Sequence, residues 1–307
     1  MVQSQPDRLS SNPLRIERIP AGYLVRGEFV SVFRPTLDEA RAAREILESH
    51  QRVHRLLPPL PDRSSRPPGS VVYGPVESRR LGRSLGVNLM RPGRTVCSFR
   101  CVYCEYARRQ CPYPFGDWPS PGGVTEALTR VLRACGPLDS ITISGVGEPT
   151  EHPEFEVMVG AILGEARRLC PHVPVRILTN GANTVRPRVR RALDRLDERI
   201  VTVDAAPRRV DRPDAQSPLG GIIQGISLLR DFTAQSCFFD GPVSNVDAES
   251  VTEWAECLGE MGPRRVQIFT LGRRPANADV RPVSRAQLEE IAGVLRERTG
   301  IDGVVFR

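Results

Sequence analysis

Three thiols fall within eight residues, in the run Cys97-Ser98-Phe99-Arg100-Cys101-Val102-Tyr103-Cys104, while the other five, Cys111, Cys135, Cys170, Cys237 and Cys257, are scattered. In a reducing compartment such crowding points to a metal site rather than a disulfide framework. Thiolates at this spacing, Cys97, Cys101 and Cys104, can hold three irons of a [4Fe-4S] cluster and leave the fourth iron open to another ligand. A structural zinc site is the competing reading. It needs four protein ligands and ordinarily two C-x2-C pairs, of which only Cys101 and Cys104 make one, with Cys111 or His152 available as a fourth donor.

A second group of candidates lies at glycine-rich turns. Ser144-Gly145-Val146-Gly147-Glu148-Pro149-Thr150 combines glycines, which let a backbone approach a ligand closely, with a carboxylate that can accept hydrogen bonds from a cationic group. On its own such a turn reads equally as a tight bend with an exposed Glu. Asn180, in Thr179-Asn180-Gly181, and Asp204, in Asp204-Ala205-Ala206, could hydrogen-bond sugar hydroxyls or substrate. Both residue types also favour turns and helix caps. Arg273 and Arg274 could bind an anion or simply form a solvated loop. The four histidines show no metal-ligand spacing and receive no role.

These residues need a scaffold, and the pattern around them supplies one. Beyond residue 72, short β-type runs alternate with helical patterns, the signature of parallel βα units. Strands are predicted over 85–89, 140–144, 175–179, 200–204, 236–240 and 266–270, and helices over 125–134, 153–169, 185–196, 218–232, 248–261 and 284–299. Six units give an α/β fold, a partial parallel (β/α)6 barrel, short of the eight that close a full one. The cysteine run, the Gly-x-Gly-Glu turn, Asn180 and Asp204 all follow strands, so they gather at the C-terminal mouth, where barrels of this kind do their chemistry.

Ahead of the barrel, residues 1–53 read as a polar tail followed by a small ββα extension. Its helix is signalled by Thr36 with Glu39 three residues on. Residues 54–71 read as a Pro-rich linker, and 72–307 as the barrel. The 307-residue chain is long enough to bury a sizeable core, and no apolar run approaches the ~18 residues that a membrane span needs. The N-terminus lacks the features of a secretory signal, so the expected location is the cytoplasm, with no membrane partner. All 43 basic residues are arginine, against 36 acidic ones, giving a net charge of +7. That balance admits nucleic acid or an acidic protein as partner, although such one-sided arginine usage looks like coding bias as much as a selected surface.

The cysteine spacing, with the aromatic Tyr103 just before the third cysteine, resembles the radical S-adenosylmethionine superfamily. The resemblance is finer than the triad. Ser78-Arg79-Arg80-Leu81-Gly82-Arg83-Ser84-Leu85-Gly86-Val87, the Gly-Val-Gly-Glu-Pro-Thr turn, Leu178-Thr179-Asn180-Gly181, Val203-Asp204-Ala205 and Val266-Gln267-Ile268-Phe269-Thr270-Leu271-Gly272-Arg273 look like the branch of iron-sulfur oxidoreductases related to wyosine-type tRNA base synthases. It covers residues 72–307.

The resemblance implies a [4Fe-4S] cluster on Cys97, Cys101 and Cys104 whose open iron chelates S-adenosylmethionine. Reductive cleavage would give a 5′-deoxyadenosyl radical that abstracts hydrogen from a tRNA base, a small metabolite or a peptide. It also implies cofactor contacts from Tyr103 to the adenine, from Gly145, Gly147 and Glu148, the last to the methionine ammonium, and from Asn180 and Asp204. An acidic reductant such as flavodoxin or ferredoxin would supply the electron. This chain departs from the wyosine enzymes in having no cysteine before Cys97 for a second cluster. A reading of a different class is a non-catalytic RNA-binding protein with a structural metal on the same cysteines, in which the Gly-x-Gly-Glu turn has no purpose.

Overall fold

The computed structural model of the protein describes residues 15–19, 22–26, 31–34, 36–38, 41, 70–91, 95–99, 101–104, 106, 117–204, 219–272 and 279–306. Three N-terminal strands, β1 (Arg15–Ile19), β2 (Gly22–Arg26) and β3 (Ser31–Arg34), pair antiparallel in sequence order, one strand more than the predicted ββα unit contains. Most of the helix expected after Thr36 and residues 54–69 of the expected linker lie outside the described residues.

The main sheet holds β4 (Val72–Ser78), β5 (Gly82–Val87), β6 (Ser140–Ile143), β7 (Val175–Thr179), β8 (Glu198–Thr202), β9 (Thr233–Asp240), β10 (Arg265–Thr270) and β12 (Gly303–Phe306). Their spatial order is β12-β10-β9-β8-β7-β6-β5-β4, and the short β11 (Arg281–Pro282) pairs antiparallel with β9. From β5 through β12 every neighbour in that order is parallel, while β4 runs antiparallel to β5. Helices α1 (Pro121–Leu132), α2 (Phe155–Leu169), α3 (Pro187–Leu193), α4 (Leu219–Ser227), α5 (Ala248–Met261) and α6 (Arg285–Thr299) occupy the crossovers, as a parallel sheet requires. This is the predicted partial α/β barrel, with two further strands at its ends.

The six predicted strands and six predicted helices all exist, β7 and α5 over their predicted spans and the others with ends displaced by a few residues. Helix α1 begins four residues earlier than its apolar spacing suggests. Ser120 caps it by accepting from the Gly123 N–H at 3.1 Å, and Pro121 fills its first turn. Helix α6 carries a capping box between Ser284 and Gln287 and ends on left-handed Gly300.

The two faces of the sheet differ in chemistry. Ile141, Ile143, Val175, Ile177, Val201 and Ala234 join Leu128, Met158, Ile162, Trp254 and Leu258 of the helices in one buried apolar core. Each such aliphatic side chain contributes ~1.5–3 kcal/mol by leaving water. Trp254 packs edge-on to Phe238 at 4.9 Å between centroids, and its indole N–H donates to Val203 O at 3.0 Å, so its polar atom is satisfied inside the core. Of the alternate positions, on the concave side, Ser84, Thr142, Arg176, Thr202, Gln235 and Gln267 are polar, while Cys237, Phe239 and Phe269 form a smaller apolar group. Parallel sheets are ordinarily apolar on both faces. The concave side of this one is therefore built to meet something other than a helix.

Candidate active site

The cysteine segment enters from the end of β5 and is fastened to the end of β6. Val96 forms a parallel bridge with Gly147 and accepts from the Glu148 N–H at 2.9 Å. Both glycines of the turn serve this junction. A Cβ on Gly145 would collide with the Asn88 side chain, and one on Gly147 with the Val96 carbonyl and the Met90 sulfur. Asn88 Oδ1 in turn accepts from the Met90 N–H at 3.2 Å and the Val146 N–H at 3.4 Å. The close approach anticipated at these glycines is thus made by the chain itself, one residue ahead of Cys97.

Glu148 is 2% exposed, not the exposed turn residue that a bare Gly-x-Gly-Glu run also allows. Its Oε1 accepts from the Thr150 N–H at 3.1 Å, the Thr150 hydroxyl at 2.7 Å and the Thr179 hydroxyl at 2.6 Å. Its Oε2 accepts from the Asn180 N–H at 2.7 Å. Burial pushes this carboxyl above the ordinary carboxylate range, and the donors from Thr179, Asn180 and Thr150 pull the other way. Glu148 therefore ties the end of β6 to the end of β7.

Asn180 continues the network. Its Nδ2 donates to Ser98 Oγ at 3.1 Å and to Cys97 Sγ at 3.6 Å, while its Oδ1 accepts from the Ala182 N–H at 2.9 Å. Cys97 Sγ also accepts from the Phe99 N–H at 3.4 Å, and Cys104 Sγ accepts from the Tyr106 N–H at 3.4 Å. Burial, reinforced by the nearby Glu148 carboxylate, pushes the Cys97 thiol up to about 12. All three thiols are half-buried and none is in a disulfide among the described residues.

Tyr103 and Asp204 form a second anchor. The Tyr103 hydroxyl donates to Asp204 Oδ2, and its ring lies 5.4 Å from that of Phe239. Asp204 is fully buried. Its Oδ1 accepts from the Cys237 N–H at 2.6 Å, and its backbone carbonyl accepts from Asn245 Nδ2 at 2.6 Å. The candidates thus form two connected groups, Cys97 with Gly147, Glu148 and Asn180, and Tyr103 with Asp204. Both lie at the C-terminal mouth of the sheet.

The donor set suits an iron-sulfur cluster. Three thiols on one segment, two of them already accepting N–H···S hydrogen bonds, match what thiolate-held clusters use to tune their sulfurs. Among the described residues no group of three or more His, Cys, Asp or Glu side chains, the cysteine triad included, is already drawn together around a metal position.

Several partners escaped the sequence reading. Thr150 and Thr179 hold Glu148, Asn88 fills the space over Gly145, and Asn245 braces Asp204. His152, which had no assigned role, is 3% exposed, with Nε2 3.0 Å from Pro119 O and its ring edge-on to Trp118. Cys111, Arg273 and Arg274 lie outside the described residues. Cys237 is buried in a small apolar group with Phe239 and Val280, and Cys135, Cys170 and Cys257 pack at the edge of the main core. Among the described residues no helix is long and apolar enough to cross a membrane.

No protein-family model matches the chain. It is 32% identical over 212 residues to a UPF0026 protein of Helicobacter pylori, an alignment covering 66% of this chain and 67% of that protein. Its fold is similar to that of a radical SAM methyltransferase from Sphaerobacter thermophilus, at TM-score 0.52 and 22% identity over 73% of this chain. The match spans 65% of the methyltransferase's length, just under two thirds. A structure of TYW1 with a lysine-pyruvate adduct bound is similar at TM-score 0.53 and 15% identity, covering 71% of this chain and 74% of that one. The chain belongs to the UPF0026 protein family and has the fold of the radical S-adenosylmethionine enzymes.

Proposed function

We propose that this protein is a radical S-adenosylmethionine enzyme, with Cys97, Cys101 and Cys104 holding a [4Fe-4S] cluster at the mouth of the barrel. The observation that carries the reading is the joint anchoring of the cysteine segment. Val96 is pinned to the Gly147–Glu148 backbone, and Cys97 Sγ meets the Asn180 amide, on a fold shared with such enzymes. When bound, the cluster would supply one electron to S-adenosylmethionine, breaking a carbon-sulfur bond and generating the 5′-deoxyadenosyl radical.

The chain's own residues position and exclude. Asn180 and the Phe99 N–H stabilise the Cys97 sulfur, and Glu148 offers a fixed carboxylate to the methionine ammonium. Gly145, Gly147, Asn180 and Asp204 border the cofactor space, with Tyr103 held by Asp204 at the adenine end. The chemistry needs an electron from an acidic carrier of the flavodoxin or ferredoxin type, and the arginine-rich surface favours such an encounter. The substrate is a tRNA base, a small metabolite or a peptide.

Anaerobic reconstitution with iron and sulfide, reduction with dithionite and assay for 5′-deoxyadenosine test this reading. The wild type is expected to be brown and to form deoxyadenosine, and Cys101→Ala is expected to lose both, with turnover falling at least ~1,000-fold. A colourless wild type holding one zinc, without turnover, would overturn the radical reading and favour a structural-metal protein.

A further inference from the structure

The concave side of the barrel holds a cation that no described carboxylate meets in an ion pair. Arg80 lies in the turn between β4 and β5 and reaches across to the far strands. Its Nη1 donates to Gln235 Oε1 at 2.6 Å, and its guanidinium carbon stands 4.0 Å from the centroid of the Phe269 ring. Both partners are neutral. Asp204 is near enough to act on Arg80 through space, yet its carboxylate oxygens accept from Tyr103 and the Cys237 N–H. Burial lowers Arg80 from its ordinary value to about 10, which still leaves it protonated at neutral pH.

A buried guanidinium that touches only neutral partners, with Asp204 acting on it through space but not paired to it, keeps a capacity for an anion, and the surroundings show where one would sit. Arg80 lines a cavity of about 190 Å³ together with Tyr73, Ser84, Tyr106, Thr142 and Ser144. A single water needs only ~10–15 Å³. The cavity runs up to Gly145 at the mouth, so it adjoins the proposed cofactor space. Among the described residues its wall carries no other charge, with Ser84 and Thr142 hydroxyls paired at 2.8 Å and those of Tyr73 and Ser144 at 2.7 Å.

We propose that Arg80 anchors the carboxylate of a small polar substrate in this cavity, with Gln235 holding the guanidinium in place. Arg80 is the one charged side chain among the described residues that line the cavity, and a single guanidinium suits a carboxylate. A phosphate monoester would call for further cations. The assignment deepens the proposed function by naming the substrate class of the cavity below the cluster, and it rests on that reading for the reaction but not for the binding.

The test is a titration of the full-length protein, cluster-loaded and cluster-free, with 13C-labelled acetate followed by NMR. Acetate is expected to bind saturably to both forms. Arg80→Gln should weaken it at least tenfold. Gln235→Glu should weaken it to a similar degree, because it sets a carboxylate on Nη1 and neutralises the cation without deleting it. That second variant keeps the test decisive if the first fails to fold. Arg80→Lys should retain part of the affinity. The proposal is overturned if acetate does not bind, if neither variant changes its binding, or if inorganic phosphate displaces acetate at concentrations below those at which acetate itself saturates. It is also overturned if Arg80→Gln weakens S-adenosylmethionine as much as acetate, which would make Arg80 a cofactor contact. Arg80-dependent acetate binding in a protein that forms no deoxyadenosine would leave the anion site standing and remove only the radical reading.

Discussion

Polar groups on the concave side of the barrel come in two kinds, separated by depth. At the N-terminal ends of the strands the charges are closed on one another. Arg176 on β7 pairs with Glu198 on β8 at 2.7 Å, Glu198 also accepts from the Thr233 hydroxyl at 2.8 Å, and Arg176 Nη1 donates to Asp139 O at 3.3 Å. Nearer the mouth, Arg80 rests on neutral Gln235 and Phe269, and the Gln267 Oε1 meets nothing described. Closed charges stabilise the folded chain but have nothing left to offer a ligand. Open ones cost stability and keep their capacity for binding.

The largest expected effect lies at the closed end. Glu198→Gln leaves Arg176, whose side chain is 4% exposed, without its counter-charge and is expected to destabilise the protein by ~3–5 kcal/mol in urea unfolding. Burial alone would raise Glu198, but Arg176, the Thr233 hydroxyl, Arg264 and Arg265 outweigh it and hold the carboxyl below its ordinary range. A depressed carboxyl stabilises the fold at pH values above its unfolded value of about 4.3, and that contribution disappears as pH falls through the folded value. The wild type should therefore lose its advantage over the Gln variant below about pH 4. An advantage unchanged down to pH 3 would break the picture of a closed floor.

Gly147→Ala is expected to cost ~1–3 kcal/mol, because the added methyl displaces the Val96 carbonyl and Met90. Since Val96 precedes Cys97, iron content after reconstitution should fall with it. Stability lost with full iron retained would show that the junction is only structural. The smallest effect is expected at the open end. Gln267→Leu removes a buried acceptor without a partner and should leave stability unchanged or raise it by ~1 kcal/mol. A loss of the size expected for Glu198→Gln would mean that the two ends do not differ in kind.

Much of this was legible in the sequence, and the reason is periodicity. Strand β7 and helix α5 match their predicted spans residue for residue, because Val175-Arg-Ile-Leu-Thr179 is short and bounded by turn residues and the helix has Asp247 and Gly262 as caps. Strand β4 escaped because Gly74-Pro75 sits in its middle, which reads against a central strand. The pair is tolerated because β4 is an edge strand with a register shift at that point.

At the site, the cysteines and Glu148 stood out because their residue types and spacing are uncommon. Thr150, Thr179 and Asn88 did not, because hydroxyl and amide residues at turns are common. Arg80 belongs to a motif that was quoted, but its partner Gln235 lies 155 positions away, and only the curling of the sheet brings the two together. One readable signal was passed over. Thr142 stands between Ile141 and Ile143 and Gln267 between Val266 and Ile268, and a polar residue set between apolar ones in a parallel strand marks a lined interior.

The fastening of the cysteine segment also bears on how this chain could change over generations. Its two holds are Val96 on Glu148 and Tyr103 on Asp204, and all three cysteines lie from the first hold to one residue past the second. Chain added or removed after Tyr106 shifts neither hold. Length variation there would leave the spacing from Val96 to Cys104, and with it the placing of all three thiols, unchanged.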